Sequence, residues 1–195
     1  MQLLKWLDSV DTWLLLLVNR SGTRLLDPAM YLVSTGWFWT PLFLFLGWKA
    51  LRRYRMIGDR LLVVAAVALC LTGTDLIVGK VIKPGVGRIR PTHRADLIPQ
   101  LRPVTDLKGH QFHGGRHCFV SSHAANFFGV AMIAYLLLGR RRWAWLFAWA
   151  ALVSASRVYV GVHFPGDVLG GALFGVGWAA LVWKIVRRVR PTALS

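Results

Sequence analysis

Five long apolar runs divide the chain, and polar segments separate them. The runs cover about residues 25–48, 61–82, 119–138, 143–162 and 168–186. Each run has about 20 residues, which is the length that a helix needs to cross the hydrocarbon core of a bilayer. We therefore predict an all-α integral membrane protein that is built as a bundle of about five transmembrane helices.

The first 24 residues form a separate amphipathic segment. Apolar side chains recur at roughly helical spacing over residues 3–18, while Asp8 and Asp11 lie on the opposite side. Because the uninterrupted apolar part is too short to span, this segment is predicted to be an interfacial helix. A short sixth span is the alternative.

Residues 83–118 are too polar to cross a membrane and show no clear period. They are rich in Arg, Lys, Gly, Pro and His, and loops of this length are usually functional or disordered. We predict a partly ordered loop at the membrane surface. Residues 1–195 are then expected to form a single domain whose transmembrane core covers residues 25–187.

Composition supports the membrane assignment and narrows the binding partners. The chain is 55% hydrophobic, and its mean hydropathy is +0.49. Its net charge is +16, from 24 Lys and Arg against 8 acidic residues, all of which are Asp. Since the basic residues lie between apolar runs, they favour lipid head groups and anionic substrates, and we expect no nucleic-acid partner.

The positions of the basic residues predict how the bundle is oriented. Twelve of them lie in short segments that share one side: Lys49, Arg52, Arg53, Arg55, Arg60, Arg140, Arg141, Arg142, Lys184, Arg187, Arg188 and Arg190. Short loops rich in Lys and Arg stay in the cytoplasm. The N-terminus, the 83–118 loop and the turn around residues 157–167 are therefore predicted to lie together on the outer face.

Small residues in the last apolar run predict close helix packing. Gly166 and Gly170, and then Gly171 and Gly175, are four residues apart. This spacing lets the backbone of one helix approach a neighbouring helix closely. Such a contact serves equally within one chain or between two chains, so the oligomeric state stays open.

Residues 156–167 carry charged side chains at an apolar boundary. Arg157, His163 and Asp167 are costly there unless they face a polar cavity or one another. A carboxylate beside an imidazole fixes its tautomer and raises its basicity, as a reactive histidine requires. The alternative is structural: Asp167 caps the next helix, and Arg157 extends its charge to the interface.

Two further stretches on the predicted outer face suit an anion. Lys83 and Arg90 supply a point charge and a planar fork for phosphate, although a basic cluster next to a membrane also binds lipid heads without specificity. Ser121, Ser122 and His123 lie at a predicted helix start, where free N–H groups attract anions. A plain helix cap and a satisfied polar histidine are the alternatives.

Together the three stretches read K-x6-R-P, then S-x-H, then S-R-x5-H-x3-D. In this order they resemble the type 2 phosphatidic acid phosphatase superfamily, membrane lipid phosphatases related in fold to vanadium haloperoxidases. The resemblance covers about residues 25–187, and the first and third motifs match completely. The second departs, because the family's usual P-S-G-H is replaced by V-S-S-H over residues 120–123.

The resemblance implies a mechanism. His163 would be the nucleophile that forms a phosphohistidine, Asp167 would orient it, and His123 would protonate the leaving oxygen and then activate water. Five residues would hold the phosphoryl oxygens: Lys83, Arg90, Ser121, Ser122 through its amide, and Arg157. Since these groups neutralise the phosphate, the reaction is expected to need no metal or other cofactor. A neutral His163 beside a protonated His123 predicts a bell-shaped pH profile.

The resemblance also implies a lipid phosphate or diphosphate substrate and a bacterial-type inner membrane with the active site on the periplasmic face. Undecaprenyl diphosphate is the first candidate, followed by phosphatidylglycerol phosphate and the phosphates of lipid A. The alternatives are a vanadate-dependent haloperoxidase, which five spans disfavour, and a noncatalytic lipid-binding or transport protein. His110, His113 and His117 have a spacing that could bind zinc, but a lid that contacts head groups is the preferred interpretation.

Overall fold

A computed structural model describes residues 2–106, 108–112 and 114–189, and it is predominantly helical. These described residues contain eight α-helices, which follow one another in this order: α1 Gln2–Arg20, α2 Asp27–Ser34, α3 Thr40–Arg53, α4 Ile57–Leu76, α5 Lys83–Val86, α6 Ser122–Leu138, α7 Trp145–Tyr159 and α8 Pro165–Val189. A π-helix at Ile77–Ile82 joins α4 to α5. The described residues form no strand, only two isolated β-bridges.

Within the part of the chain that the structure describes, two helices are suited by length and composition to cross a membrane. The continuous helix Ile57–Val86 has 30 residues, and Pro165–Val189 has 25. A third span is formed if α2 and the bent segment Gly36–Arg53 count as one. The chain is thus a multi-pass membrane protein. The predicted count of five does not follow from the helices alone, because α6 and α7 have only 17 and 15 residues.

The apolar run 25–48 was expected to form one helix, and this expectation is wrong. The run bends by 74° between α2 and the segment Gly36–Arg53. Thr35 is extended there (φ −89°, ψ 116°), and Pro41 lies in the first turn of α3, where its missing N–H costs nothing. The carbonyl of Ser34 accepts a hydrogen bond from Arg157 Nη1 (3.0 Å). The break therefore places the backbone of Ser34, the last residue of α2, in contact with Arg157, a predicted site residue.

Helix α6 lies at the centre of the bundle, between α4, α7 and α8. Its contact with α8 is backbone to backbone, because a Cβ added at Gly175 would overlap the carbonyl oxygen of Ala125. A Cβ at Gly171 would likewise reach the backbone of Ser121. The close packing predicted from the glycine spacing is therefore present within one chain.

The predicted 83–118 loop is present, except that its first four residues continue the preceding helix as α5. Its two ends run side by side, since the N–H of Arg90 donates to the carbonyl of Arg116 and the N–H of Cys118 to that of Arg88 (both 2.9 Å). Between them, Leu97 and Val104 are buried. The described part of the loop therefore packs against the bundle and positions its arginines.

Candidate active site

His163 lies in the turn between α7 and α8 and is 2% exposed. Gly161, with φ +76°, lets the chain turn there. The Nδ1 atom of His163 is 3.3 Å from Asp167 Oδ2, which also accepts the N–H of Phe164 (3.0 Å). Because an ionised carboxylate only accepts, we assign the imidazole proton to Nδ1. The lone pair is then on Nε2, on the side away from Asp167.

Two guanidinium groups lie near this histidine. Arg90 places Nη1 3.4 Å from His163 Nε2, and its other contacts are to backbone carbonyls, including Gly115 (2.7 Å). Arg157 donates through Nη1 to the carbonyl and hydroxyl oxygens of Ser34 (3.0 and 2.6 Å). Its Nε is buried and has no hydrogen-bond partner among the described residues. A buried donor without a partner is costly, so this N–H is a place for a ligand oxygen.

The S-x-H motif begins α6. Ser121 is the N-cap, and its hydroxyl oxygen accepts the N–H of Ala124 (3.4 Å). Its own N–H donates to the carbonyl of Asp167 (2.9 Å), which links the second motif to the third. Lys83 Nζ donates to the hydroxyl of Ser122 (2.9 Å), which links the first motif to the second. The structural alternative for Ser121 is therefore present, and its predicted contact with phosphate stays a prediction.

His123 lies on the first turn of α6, with its ring parallel to that of Phe127 at 6.2 Å. Lys83, Arg90, Arg157 and His163 lie close enough to His123 for electrostatic interaction. The structure thus gathers all eight predicted site residues around the start of α6, the end of α7 and the start of α8: Lys83, Arg90, Ser121, Ser122, His123, Arg157, His163 and Asp167.

Burial sets the protonation state of His163. Removal from water lowers the pKa of His163 to about 3, and Arg90 and Arg157 act in the same direction. The hydrogen bond to Asp167 opposes this shift. The imidazole is therefore neutral at physiological pH, as a nucleophile has to be.

The sequence analysis assigned no role to Arg88, whose guanidinium contacts the Asp167 oxygen that does not face His163. Its Nη1 donates to Asp167 Oδ1 (2.9 Å) and to Asp11 Oδ2 (2.7 Å), and its Nη2 donates to Asp8 Oδ1 (2.9 Å). In the motif K-x6-R-P, Arg88 is one of the six unspecified positions, so motif spacing gives it no role. The available signal was a pair of acidic residues on α1 with no assigned partner.

The described residues contain no group of three or more His, Cys, Asp or Glu suited to hold a metal ion. His110 pairs instead with Asp106 (3.0 Å). His113, the middle member of the predicted histidine group, lies outside the described residues, so the zinc alternative stays untested.

Comparison with known proteins gives consistent matches. A lipid A 4'-phosphatase of Bacteroides thetaiotaomicron is 34% identical over 90% of this chain and 77% of its own length. A second, from Porphyromonas gingivalis, is 29% identical over 98% of this chain and 79% of its own. An undecaprenyl-diphosphatase of Sulfolobus acidocaldarius is 32% identical over 72% of this chain and 60% of its own length.

A solved structure shows the same fold. It is the crystal structure of a transmembrane PAP2-type phosphatidylglycerolphosphate phosphatase from Bacillus subtilis, with a TM-score of 0.69 and 25% identity over 95% of this chain and 89% of that one. The family profile of the PAP2 superfamily matches residues 60–191. This chain belongs to the PAP2 superfamily and is a membrane lipid phosphatase.

Proposed function

We propose that this protein removes a phosphate from lipid A or a closely similar phosphorylated glycolipid through a phosphohistidine at His163. The observation that carries the chemistry is the arrangement of His163, whose Nδ1 faces Asp167 while Nε2 faces Arg90. The substrate class is supported by the two lipid A 4'-phosphatases, which match 90% and 98% of the chain. Undecaprenyl diphosphate, the first candidate from the sequence, is therefore no longer the favoured substrate.

The reaction would take two in-line displacements. In the first, His163 Nε2 forms a bond to phosphorus, the bond from phosphorus to the lipid oxygen breaks, and His123 gives that oxygen its proton. In the second, His123 takes a proton from water as the water oxygen attacks phosphorus. The P–N bond then breaks and inorganic phosphate leaves, which restores a neutral His163.

The cations around the imidazole can neutralise the negative charge of the phosphoryl group in this reaction. Phosphoryl transfer depends mainly on positioning and on neutralising the equatorial oxygens. Arg90 lies beside Nε2, the free Nε–H of Arg157 is available to a phosphoryl oxygen, and Lys83 is held by Ser122. With Ser121 and the amide of Ser122, these groups would take the part that a metal ion has in other phosphatases.

We further propose that the bundle is one domain with five spans, in which α6 and α7 cross the bilayer together with their flanking turns. The basic segments would then lie in the cytoplasm and the site on the periplasmic face of an inner membrane. Arg190, one of the twelve basic residues that predict this orientation, lies outside the described residues. Helix α1 would lie at the outer interface.

Phosphatidylglycerol phosphate is the second candidate substrate. The observation that favours it is the crystal structure of the Bacillus subtilis phosphatase, which is similar over 95% of this chain. Both candidates present a phosphomonoester at head-group depth, so the chemistry at His163 would be the same. They differ in the size of the group that leaves with the lipid oxygen.

Phosphate release from purified protein in detergent with EDTA tests both parts of this proposal. The substrates are lipid A, phosphatidylglycerol phosphate and undecaprenyl diphosphate, and His163→Ala is the matched control. We expect the highest kcat/KM for lipid A, no release by the variant, and an acid-labile, base-stable phosphoprotein after rapid quenching of the wild type. A variant that remains active would refute the role of His163. A strong preference for another lipid would refute the proposed substrate alone.

A further inference from the structure

Arg88 lies between α1 and α8 and contacts Asp167, the partner of the proposed nucleophile His163. Its guanidinium contacts three carboxylates, with distances of 2.9 Å to Asp8, 2.7 Å to Asp11 and 2.9 Å to Asp167. It also stacks on the ring of Phe164, 3.9 Å from the centroid. Because Asp167 is completely buried, this contact indicates that Arg88 does more than add positive charge to the protein surface.

The two oxygens of Asp167 have different partners. Oδ2 faces His163 Nδ1 and the N–H of Phe164, whereas Oδ1 faces Arg88 Nη1. The Asp167 side chain is 0% exposed, so no solvent water replaces these contacts. With both oxygens held, the carboxylate has one orientation, and that orientation sets the direction of the imidazole ring.

Arg88 is itself fixed by α1. Asp11 accepts from Arg88 through Oδ2, and through Oδ1 it accepts the N–H of Gly166 at the start of α8 (2.7 Å). Asp8 holds the other end of the guanidinium. A planar fork with several donors suits such an arrangement, because each N–H points in a fixed direction. Helix α1 therefore holds both the arginine and the helix that carries Asp167.

We propose that Arg88 is a positioning residue for the phosphatase reaction and that α1 keeps it in place through Asp8 and Asp11. It acts through Asp167 and does not touch the phosphate. Arg90, two residues further on, has its guanidinium beside His163 Nε2, whereas that of Arg88 contacts the carboxylates of Asp167 and α1. The inference rests on the proposed role of His163. It adds to the catalytic machinery a helix that lies outside the matched family region, residues 60–191.

The chain offers a matched control for Arg88. Arg94 also pairs with Asp8 (3.0 Å) and also lies over the Phe164 ring, at 5.8 Å, but within the described residues its ion pairs are with Asp8 and Asp96 and not with Asp167. Substitution of Arg94 thus removes a neighbouring cation without removing a contact to Asp167. A difference in kcat between the Arg88 and Arg94 variants therefore measures the effect of the contact between Arg88 and Asp167.

The experiment compares Arg88→Gln, Arg88→Lys and Arg94→Gln with the wild type in the phosphate-release assay. We expect Arg88→Gln to lower kcat about 10- to 100-fold, the loss that removal of an outer-shell partner of a metal-ligating side chain typically causes, with KM within about twofold. Arg88→Lys should recover part of kcat, because an ammonium still reaches Asp167. Arg94→Gln should stay within about threefold of the wild type.

The inhibition constant for inorganic phosphate separates positioning from binding. Phosphate requires the phosphate-binding cations but no bond to His163. We expect the constant to change less than about twofold in Arg88→Gln. Losses from Arg88→Gln and Asp167→Asn should combine less than additively in the double variant, because both remove the same interaction. A variant that had lost only stability would show a lower melting temperature with unchanged kcat per folded molecule.

The outcomes distinguish this inference from the proposed function. An inactive wild type, or an active His163→Ala, would refute the proposed function itself. If the wild type is active and His163→Ala is not, equal kcat values for Arg88→Gln and Arg94→Gln would overturn the role of Arg88. Should Arg88→Gln fail to fold, the Asp8→Asn/Asp11→Asn variant decides: the inference requires kcat to fall more than threefold at unchanged KM.

Discussion

His163, the proposed nucleophile, shows how the surroundings of a residue can suit it for nucleophilic attack. Burial removes the water that would stabilise a protonated ring, and Arg90 adds a positive charge beside Nε2. Asp167 supplies a fixed acceptor for the opposite nitrogen. The same environment that keeps the imidazole neutral would stabilise it once it carries an anionic phosphoryl group.

The low pKa of His163 makes the stability of the protein depend on pH. In the unfolded chain this imidazole takes up a proton as the pH falls through about 6.5, whereas in the folded protein it stays neutral until about pH 3. The unfolded state gains its proton first, so stability decreases as the pH falls from 6.5 towards 3, by at most about 1.4 kcal/mol per pH unit. We expect the melting temperature to fall less steeply over this interval in His163→Gln, and parallel curves would contradict the shift.

Motif spacing could predict the residues that are proposed to contact the phosphate, but it could not predict the residues that hold the site in position. Lys83, Arg90 and Arg157 stand at fixed intervals from other motif residues, and the structure brings them near His163 or Ser122, while their contact with phosphate stays a prediction. Arg88 was not predicted, because its partners Asp8 and Asp11 lie 80 and 77 residues away in the chain. A one-dimensional pattern does not reveal such a pairing.

At the scale of helices, apolar runs predict where a helix exists but not where it bends. The runs that became Ile57–Val86 and α8 are continuous helices, as expected. The run 25–48 is broken at Thr35, next to Ser34, which accepts a hydrogen bond from Arg157, 123 residues further along. This contact leaves no trace in local hydrophobicity. The break was also hidden because Gly36–Trp39 is apolar enough to belong to a span.

The contact between α6 and α8 gives a prediction about stability. Gly175→Ala places a Cβ against the carbonyl of Ala125, so the helices must separate, at a cost of about 1–3 kcal/mol. Gly177 is the matched control in the same helix, since a Cβ there meets nothing within 4 Å. We expect thermal unfolding in detergent to show a lower melting temperature for Gly175→Ala only. Equal melting temperatures would mean that the helices are less tightly packed than described.

At the scale of the molecule, the candidate site and the basic segments lie at opposite ends of the bundle. The site residues cluster at the start of α6 and α8, whereas Arg141 and Arg142 follow the other end of α6. This separation is a consequence of alternating helices, and it could be read from the sequence because a span reverses the side of the chain. The number of spans could not be read so directly, since α6 and α7 are short.

Accessibility of single cysteines tests the proposed orientation. His110 has a side chain that is 68% exposed in the loop, and Arg141 is exposed at the opposite end. Both native cysteines, Cys70 and Cys118, are buried, so the background is low. A membrane-impermeant maleimide should label His110→Cys in cells whose outer membrane alone is permeable, and Arg141→Cys only after lysis. The reverse pattern would place the site in the cytoplasm.

Every carboxylate side chain in this protein belongs to an aspartate. Asp8, Asp11 and Asp167 therefore meet Arg88 with short side chains that have only two rotatable bonds, while the arginine covers most of the distance. Side-chain length, as well as charge, defines this contact. A glutamate at any of these three positions would keep the charge but move its oxygens by roughly one bond length, so the network is sensitive to changes that leave the electrostatic balance intact.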